Sequence, residues 1–144
     1  MNTVLYINDY QFKFITNNFD DTVLISYIQD DIVRLEVILN NDYNKITLFN
    51  FTNRSGIKYL GKKILTILLN HLHSVNKIDD KTVLCLHTIN TPHKKLISYY
   101  RSLGLKCYRM FNNKIINHHY CNTVFMKCTI RHFLNLNFED TFLS

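Results

Sequence analysis

Five β-rich runs crowd into the first 51 residues: Thr3–Ile7, Tyr10–Ile15, Thr22–Gln29, Ile32–Leu39 and Lys45–Phe51. The polar segments between them, Asn8-Asp9, Asn17 to Asp21, Asp30-Asp31 and Asn40 to Asn44, are two to five residues long. Such connections reach only an antiparallel neighbour, because a parallel pairing needs a crossover of a dozen residues or more. The first third of the chain is therefore constrained to an antiparallel meander. Within Ile32–Leu39 the charged Arg34 and Glu36 alternate with apolar neighbours, the period of a strand with two different faces.

The period changes after Phe51. Leu60, Ile64, Ile67, Leu68 and His71 recur at three- and four-residue intervals, which predicts an amphipathic helix over Leu60–His73, with Lys62, Lys63, Thr66 and Asn70 off its apolar face. Thr82–Ile89 is almost continuously apolar, as in a strand buried on both faces. Asn90-Thr91-Pro92 then punctuates the chain, with Pro92 suited to a first helical turn and Thr91 to its N-cap. His93, Leu96, Ile97 and Tyr100 form the inward face of this second helix, and Gly104 stops it. Two late strands, Leu105–Phe111 and Val124–Ile130, flank the polar stretch Asn112 to Asn122. The fold class is α/β in the broad sense, or α+β: a mixed, mainly antiparallel sheet flanked by helices in a single domain, residues 1–144. Its parts are a strand-rich first half (1–51), a β-α-β-α-β half (52–130) and a C-terminal tail (131–144).

A chain of 144 residues, 47% hydrophobic and 19% charged, can bury a core without disulfides or metal. Cys85, Cys107, Cys121 and Cys128 form no CxxC pair, so reduced thiols are expected and no metal site. No apolar run approaches the roughly 20 residues of a membrane span, and the first residues lack a signal-peptide core. The expectation is a soluble intracellular protein, cytoplasmic or nuclear, without membrane contact. The net charge of +6 and pI near 9.2 favour anionic partners in general, but no basic run is dense enough for a nucleic-acid arm. The absence of Ala and abundance of Asn, Ile and Lys are the mark of an AT-rich genome, as in some large DNA viruses, and lower intrinsic helix propensity.

Asn53 to Lys63 joins the fifth strand to the first helix and holds two of the three glycines among several cations. A loop that opens a helix after a strand presents unpaired N–H groups and the positive end of the helix dipole, a phosphate cradle. The same residues are open to a plainer reading, with Gly56 permitting a turn, Gly61 relieving crowding and the lysines solvated.

Tyr99-Tyr100-Arg101-Ser102-Leu103-Gly104-Leu105 resembles the "lYeklGF" helix ending of the GNAT family of acetyl-CoA-dependent N-acetyltransferases. The loop ahead of Leu60 then occupies the place of that family's pyrophosphate motif, Q/R-x-x-G-x-G/A. In the ungapped register Gly56 replaces the usual Gln or Arg, Tyr59 replaces the central glycine and Gly61 is retained; shifting the loop, at the cost of an irregularity, puts Arg54 and Gly56 near the expected types. The segment Leu84 to Asn90 is similar to the "YLHV" strand of the branch that acetylates protein amino termini. The resemblance spans roughly Lys45 to Ile130.

The resemblance implies an N-acetyltransferase that moves acetyl from acetyl-CoA, its co-substrate, to a primary amine, with a protein or peptide amino group as leading acceptor. It implies Tyr100 as the acid that protonates the leaving thiolate, with Tyr99 as fallback, and His87 as the base. It implies cofactor contacts from Phe49, Phe51, Arg54, Gly56, Ile57, Lys58, Tyr59, Leu60, Gly61, Lys62 and Asn90, with oxyanion stabilisation from a backbone N–H in Thr47–Phe51, where the family splays two parallel strands into a V-shaped opening that admits pantetheine. Glu36 is open between base, substrate anchor and solvated strand residue; His118-His119-Tyr120 lies in the hairpin that flanks the acceptor in relatives. The amino-terminal part is too short to carry the family's usual first two helices, which help wall the acceptor site in relatives. Rival readings are a catalytically silent GNAT-like module that binds a protein partner, and a basic nucleic-acid-binding domain; a strand edge in the C-terminal half would support a homodimer.

Overall fold

The computed structural model describes residues 2–8, 11–30, 32–90, 95–116 and 119–137, with the backbone alone at 89–90, 109–116 and 119–122. The chain runs β1 (Asn2–Ile7), β2 (Phe12–Phe19), β3 (Thr22–Gln29), β4 (Val33–Asn40), β5 (Lys45–Asn53), α1 (Leu60–Ser74), β6 (Val83–Asn90), α2 (Lys95–Ser102), β7 (Lys106–Ile116), β8 (His119–Thr129) and α3 (Ile130–Leu136). The strands form one sheet in the order β1-β2-β3-β4-β5-β6-β8-β7. Among the described residues only β5 and β6 pair in parallel; the other pairs are antiparallel.

The meander is as expected, and its turns are tight because Asn and Asp supply the left-handed residue: Asp20, Asp30 and Asn44 have φ of 49°, 48° and 48°. Asn17 to Phe19, expected as a connection, instead extend β2, where the ladder to Val23 and Leu24 satisfies their backbone. The stretch Asn112 to Asn122 is likewise mostly strand, since β7 and β8 run to Ile116 and from His119. Residues 131–136, expected as tail, belong to α3, whose Thr129 cap accepts from the N–H of His132.

One face of the sheet carries the core. Leu35, Val37 and Leu39 of β4, Ile46 and Leu48 of β5, Leu84 and Leu86 of β6, and Val124 and Met126 of β8 are all buried on it. Ile64, Leu65, Leu68 and Leu72 of α1, Ile97 and Tyr100 of α2, and Phe133 of α3 join the same cluster. The apolar face of α1 is broader than the sequence reading. Thr66, expected off that face, is fully buried because its hydroxyl donates to the Lys62 carbonyl at 2.7 Å. Leu96, expected inward, is exposed, and Leu103 takes the inward place instead. Both α1 and α2 end in the same double bond pattern: Lys77 N–H to Leu72 and Asn76 to His73, then Leu105 to Tyr100 and Gly104 to Arg101. The left-handed residue is Asn76 (φ 61°) in one and Gly104 (φ 106°) in the other. Thr91, Pro92 and His93, the expected start of α2, lie outside the described residues.

Candidate active site

The sheet splits in its middle. β5 and β6 pair only at Lys45–Val83, Ile46–Leu84 and Thr47–Cys85, although β5 continues to Asn53 and β6 to Asn90. Beyond Thr47 and Cys85 the parallel strands part and leave a V-shaped gap. On its β4 side the ladder slips between Glu36 and Val37, which pair with Asn50 and Leu48, so Phe49 is an extra residue in β5 and half exposed. A bulge frees backbone groups from the ladder, and this one lies on the lip of the gap.

On the helix side, Phe51 fills the bottom of the gap. A Cβ on Gly61 would stand 3.0 Å from the Phe51 ring, so glycine is what lets the first turn of α1 close on it. Phe51 stacks on Tyr99 with centroids 6.1 Å apart and meets Tyr100 at 6.4 Å. Tyr100 is buried and its hydroxyl has no hydrogen-bond partner among the described residues. Burial raises its pKa above the ordinary 10.0, so the phenol keeps its proton at neutral pH.

The loop from Asn53 to Tyr59 is braced from within. Asn53 accepts from the N–H of Ser55 at 3.0 Å and from its hydroxyl at 2.6 Å, and donates to the Ile57 carbonyl at 2.9 Å; the Ser55 hydroxyl accepts from the Ile57 N–H at 3.0 Å. Arg54 and Ile57 are exposed, and the Arg54 N–H donates to the Ile32 carbonyl at 2.7 Å. The N–H groups of Gly56, Lys58, Tyr59 and Gly61 have no partner among the described residues. Gly56 has φ 77°, and Tyr59, the residue before α1, is left-handed too, at φ 65°. The Lys58 and Lys62 ammoniums lie 5.1 and 5.4 Å from the exposed Tyr59 ring. Leu60 is half-buried against the core.

The other face of the sheet carries His87. It points away from buried Leu86 and Thr88, is exposed, and packs on Phe125 with centroids 4.9 Å apart. Thr82–Ile89 is thus not buried on both faces. Glu36 lies on this second face, its side chain 17% exposed and accepting from Asn50 Nδ2 at 3.0 Å. Tyr100 and His87 therefore approach the gap from opposite sides. The side chains of Asn90, His119 and Tyr120, and all of His118, lie outside the described residues. Among the described residues no three metal-ligating side chains come together, and no helix is long and apolar enough to cross a membrane. A cavity of about 310 Å³, lined by Val23, Ile25, Leu39, His71 and Leu72 among others, sits at the far end of α1, remote from the gap.

No family model matches the sequence, and no curated protein matches it either. Solved structures do. The spermidine/spermine N-acetyltransferase SpeG from Vibrio cholerae superposes with a TM-score of 0.62 at 13% identity, over 82% of this chain and 70% of that one. A probable acetyltransferase from Staphylococcus epidermidis gives 0.56 at 13% identity, over 76% and 68%. A protein assigned to the GNAT family from Desulfovibrio desulfuricans gives 0.55 at 9% identity, over 76% and 69%. The fold is that of the GNAT acetyltransferases. Within this GNAT fold, β2 passes to β3 through the two-residue turn Asp20-Asp21, and no helix is described before α1. The second face of the sheet is accordingly covered by none of the described helices.

Proposed function

We propose that the chain is an N-acetyltransferase that transfers acetyl from acetyl-CoA to a primary amine. The observation that carries this reading is the parting of β5 and β6, with the Tyr100 phenol on one side of the sheet and the His87 imidazole on the other. A slot between two strands whose facing edges are unpaired fits an extended pantetheine arm. The N–H groups of Gly56, Lys58, Tyr59 and Gly61, with Lys58 and Lys62 beside them, fit a pyrophosphate. Phe49 and Phe51 line the slot, and Arg54, Ile57 and Leu60 frame the loop.

Acetyl-CoA supplies an acyl group activated as a thioester. His87 takes a proton from the amine on the open face, directly or through a water, so that nitrogen can attack. A backbone N–H at the Phe49 bulge stabilises negative charge on the acyl oxygen. Tyr100 gives its proton to the departing sulfur on the helix face. The products are an amide and the CoA thiol, and the two proton carriers never compete because the sheet separates them.

Calorimetric titration with CoA and acetyl-CoA tests the reading, and no binding at millimolar ligand would overturn it. With binding in hand, Tyr100→Phe and His87→Ala are each expected to lower turnover of an amine panel about 100-fold. Unchanged turnover in both refutes these roles. The rival reading, a catalytically silent module, draws on Tyr59 in the glycine position, and the same titration separates the two.

A further inference from the structure

Two cavities flank the end of α1 opposite the gap, and they share His71. The larger, about 310 Å³, lies between the helix-bearing face of β1 to β3 and the last turn of α1. The smaller, about 140 Å³, follows β1 to Ile7 and Asn8 and is bounded on the helix by Ile67, Asn70, His71 and Ser74, one face of α1. Together they make a trough between β1 and α1. It exists because α1 meets β1, β4 and β5 more closely than the two strands between them. Thr16 of β2 and Val23 and Ile25 of β3 are left to floor the larger cavity.

The floor is apolar, with Leu5, Leu39 and Leu72 beside Val23 and Ile25. Val4 and Val75, 50% and 46% exposed, carry that lining out to the mouth. Lys77 is the one charged side chain lining either cavity among the described residues, and no carboxylate lines them. Neither its ammonium nor the half-buried His71 ring has a hydrogen-bond or ion-pair partner among the described residues. The carbonyls of the last helical turn, which would repel an anion, are taken: Leu72 accepts from the N–H of Lys77, His73 from that of Asn76, and His71 from that of Val75 and from the Ser74 hydroxyl. The nearest acids in sequence are engaged elsewhere. Asp42 faces Asp21, and Asp79 accepts from the Lys81 N–H at 2.9 Å and from Asn44 at 3.3 Å. On a chain of net charge +6, an unpaired ammonium at an apolar mouth favours a negative ligand.

We propose that this trough binds an anionic amphiphile of the medium-chain fatty-acid class, its chain in the larger cavity and its carboxylate at Lys77. At about 30 Å³ for each water-sized group, the cavity takes a chain of about ten carbons. An apolar chamber with a few placed polar groups is the usual form of a small-molecule site. Inorganic phosphate and nucleotides do not suit it, because their oxygens need donors that the floor lacks. The site stands apart from the acetyltransferase reading, since the whole length of α1 separates it from the Asn53 to Tyr59 loop.

Calorimetry on the whole chain tests this with decanoate, decanol and decylammonium, each below its solubility or micelle limit. The wild-type protein is expected to prefer decanoate at least about ten-fold, the scale of one charge-assisted hydrogen bond. Lys77→Glu, at an exposed position, is expected to reverse the order in favour of decylammonium. Val23→Phe, which fills the larger cavity, is expected to abolish binding of all three. Amide exchange locates the ligand, with decanoate slowing exchange in β1 and in residues 71–77. No binding of millimolar decanoate, equal affinity for the three ligands, an unchanged order in Lys77→Glu, binding retained in folded Val23→Phe, or protection confined to residues 48–61 would each overturn the proposal. If Val23→Phe does not fold, the charge reversal and the exchange pattern decide it. A stable ligand-free dimer in sedimentation that protects β1 would also overturn it, because a second copy would then occupy the trough.

Discussion

Tyr59 combines a bulky side chain with a backbone conformation that glycine adopts most freely. In the register of the resemblance it stands where the motif has glycine, and its backbone is left-handed at φ 65°. That conformation costs a non-glycine residue about 1–2 kcal/mol, and glycine's extra freedom in the unfolded chain offsets about 0.5–1 kcal/mol of any relief. Tyr59→Gly is therefore expected to raise stability by about 0.5 kcal/mol, read as a higher urea midpoint at unchanged slope. A drop in midpoint would mean that the ring, set between Lys58 and Lys62, stabilises the loop more than its backbone strains it. Gly61 is the contrasting case. Its need for glycine comes from a neighbour, the Phe51 ring 3.0 Å from a would-be Cβ, which the sequence of the loop alone does not reveal.

The element that makes the site is the divergence of β5 from β6, a relation between strands rather than a property of either. In residues 48–53 and 86–90 the edges that face each other are released from pairing, while the opposite edges stay paired with β4 and β8. Amide exchange in these peptides is expected to be faster than in β3 and β4, and to slow on addition of CoA. Exchange that slows only around His71 and Leu72 would move the ligand to the cavity at the far end of α1. Alternation and short turns made β3 and β4 legible to within a residue, and the 3.6-residue period did the same for α1. Asn17 to Phe19 and Asn112 to Ile116 were not legible, because polar, Asn-rich residues enter a strand when a neighbouring strand satisfies their backbone. Tyr100 and His87 could be singled out from their segments. The gap followed only from the family resemblance and not from the residues themselves, and neither its placing of the two on opposite faces nor the hydrogen bond that ties Glu36 to Asn50 was legible.

For the molecule as a whole, one core carries weak acids whose protons burial retains. Desolvation pushes the Cys128 thiol from 9.0 up to about 12, and raises the Tyr100 and Tyr27 hydroxyls in the same direction. Because the folded pKa lies above the unfolded one, the folded state holds a proton that the unfolded chain releases between these values. The contribution of Cys128 is present in full below pH 9.0 and is lost as pH rises toward about 12. In that window its share of the slope approaches about 1.4 kcal/mol per pH unit. Urea unfolding at successive pH values is thus expected to show falling stability from pH 9 upward, and Cys128→Ser to fall less steeply than the parent by about one proton's worth. Parallel slopes in the two proteins would show that the thiol ionises in the folded state as readily as in the unfolded one. Lysines losing charge over the same range reduce self-repulsion in a chain of net charge +6 and act in the opposite sense, so the difference between the two proteins, in which that common effect cancels, is the quantity that isolates the buried thiol.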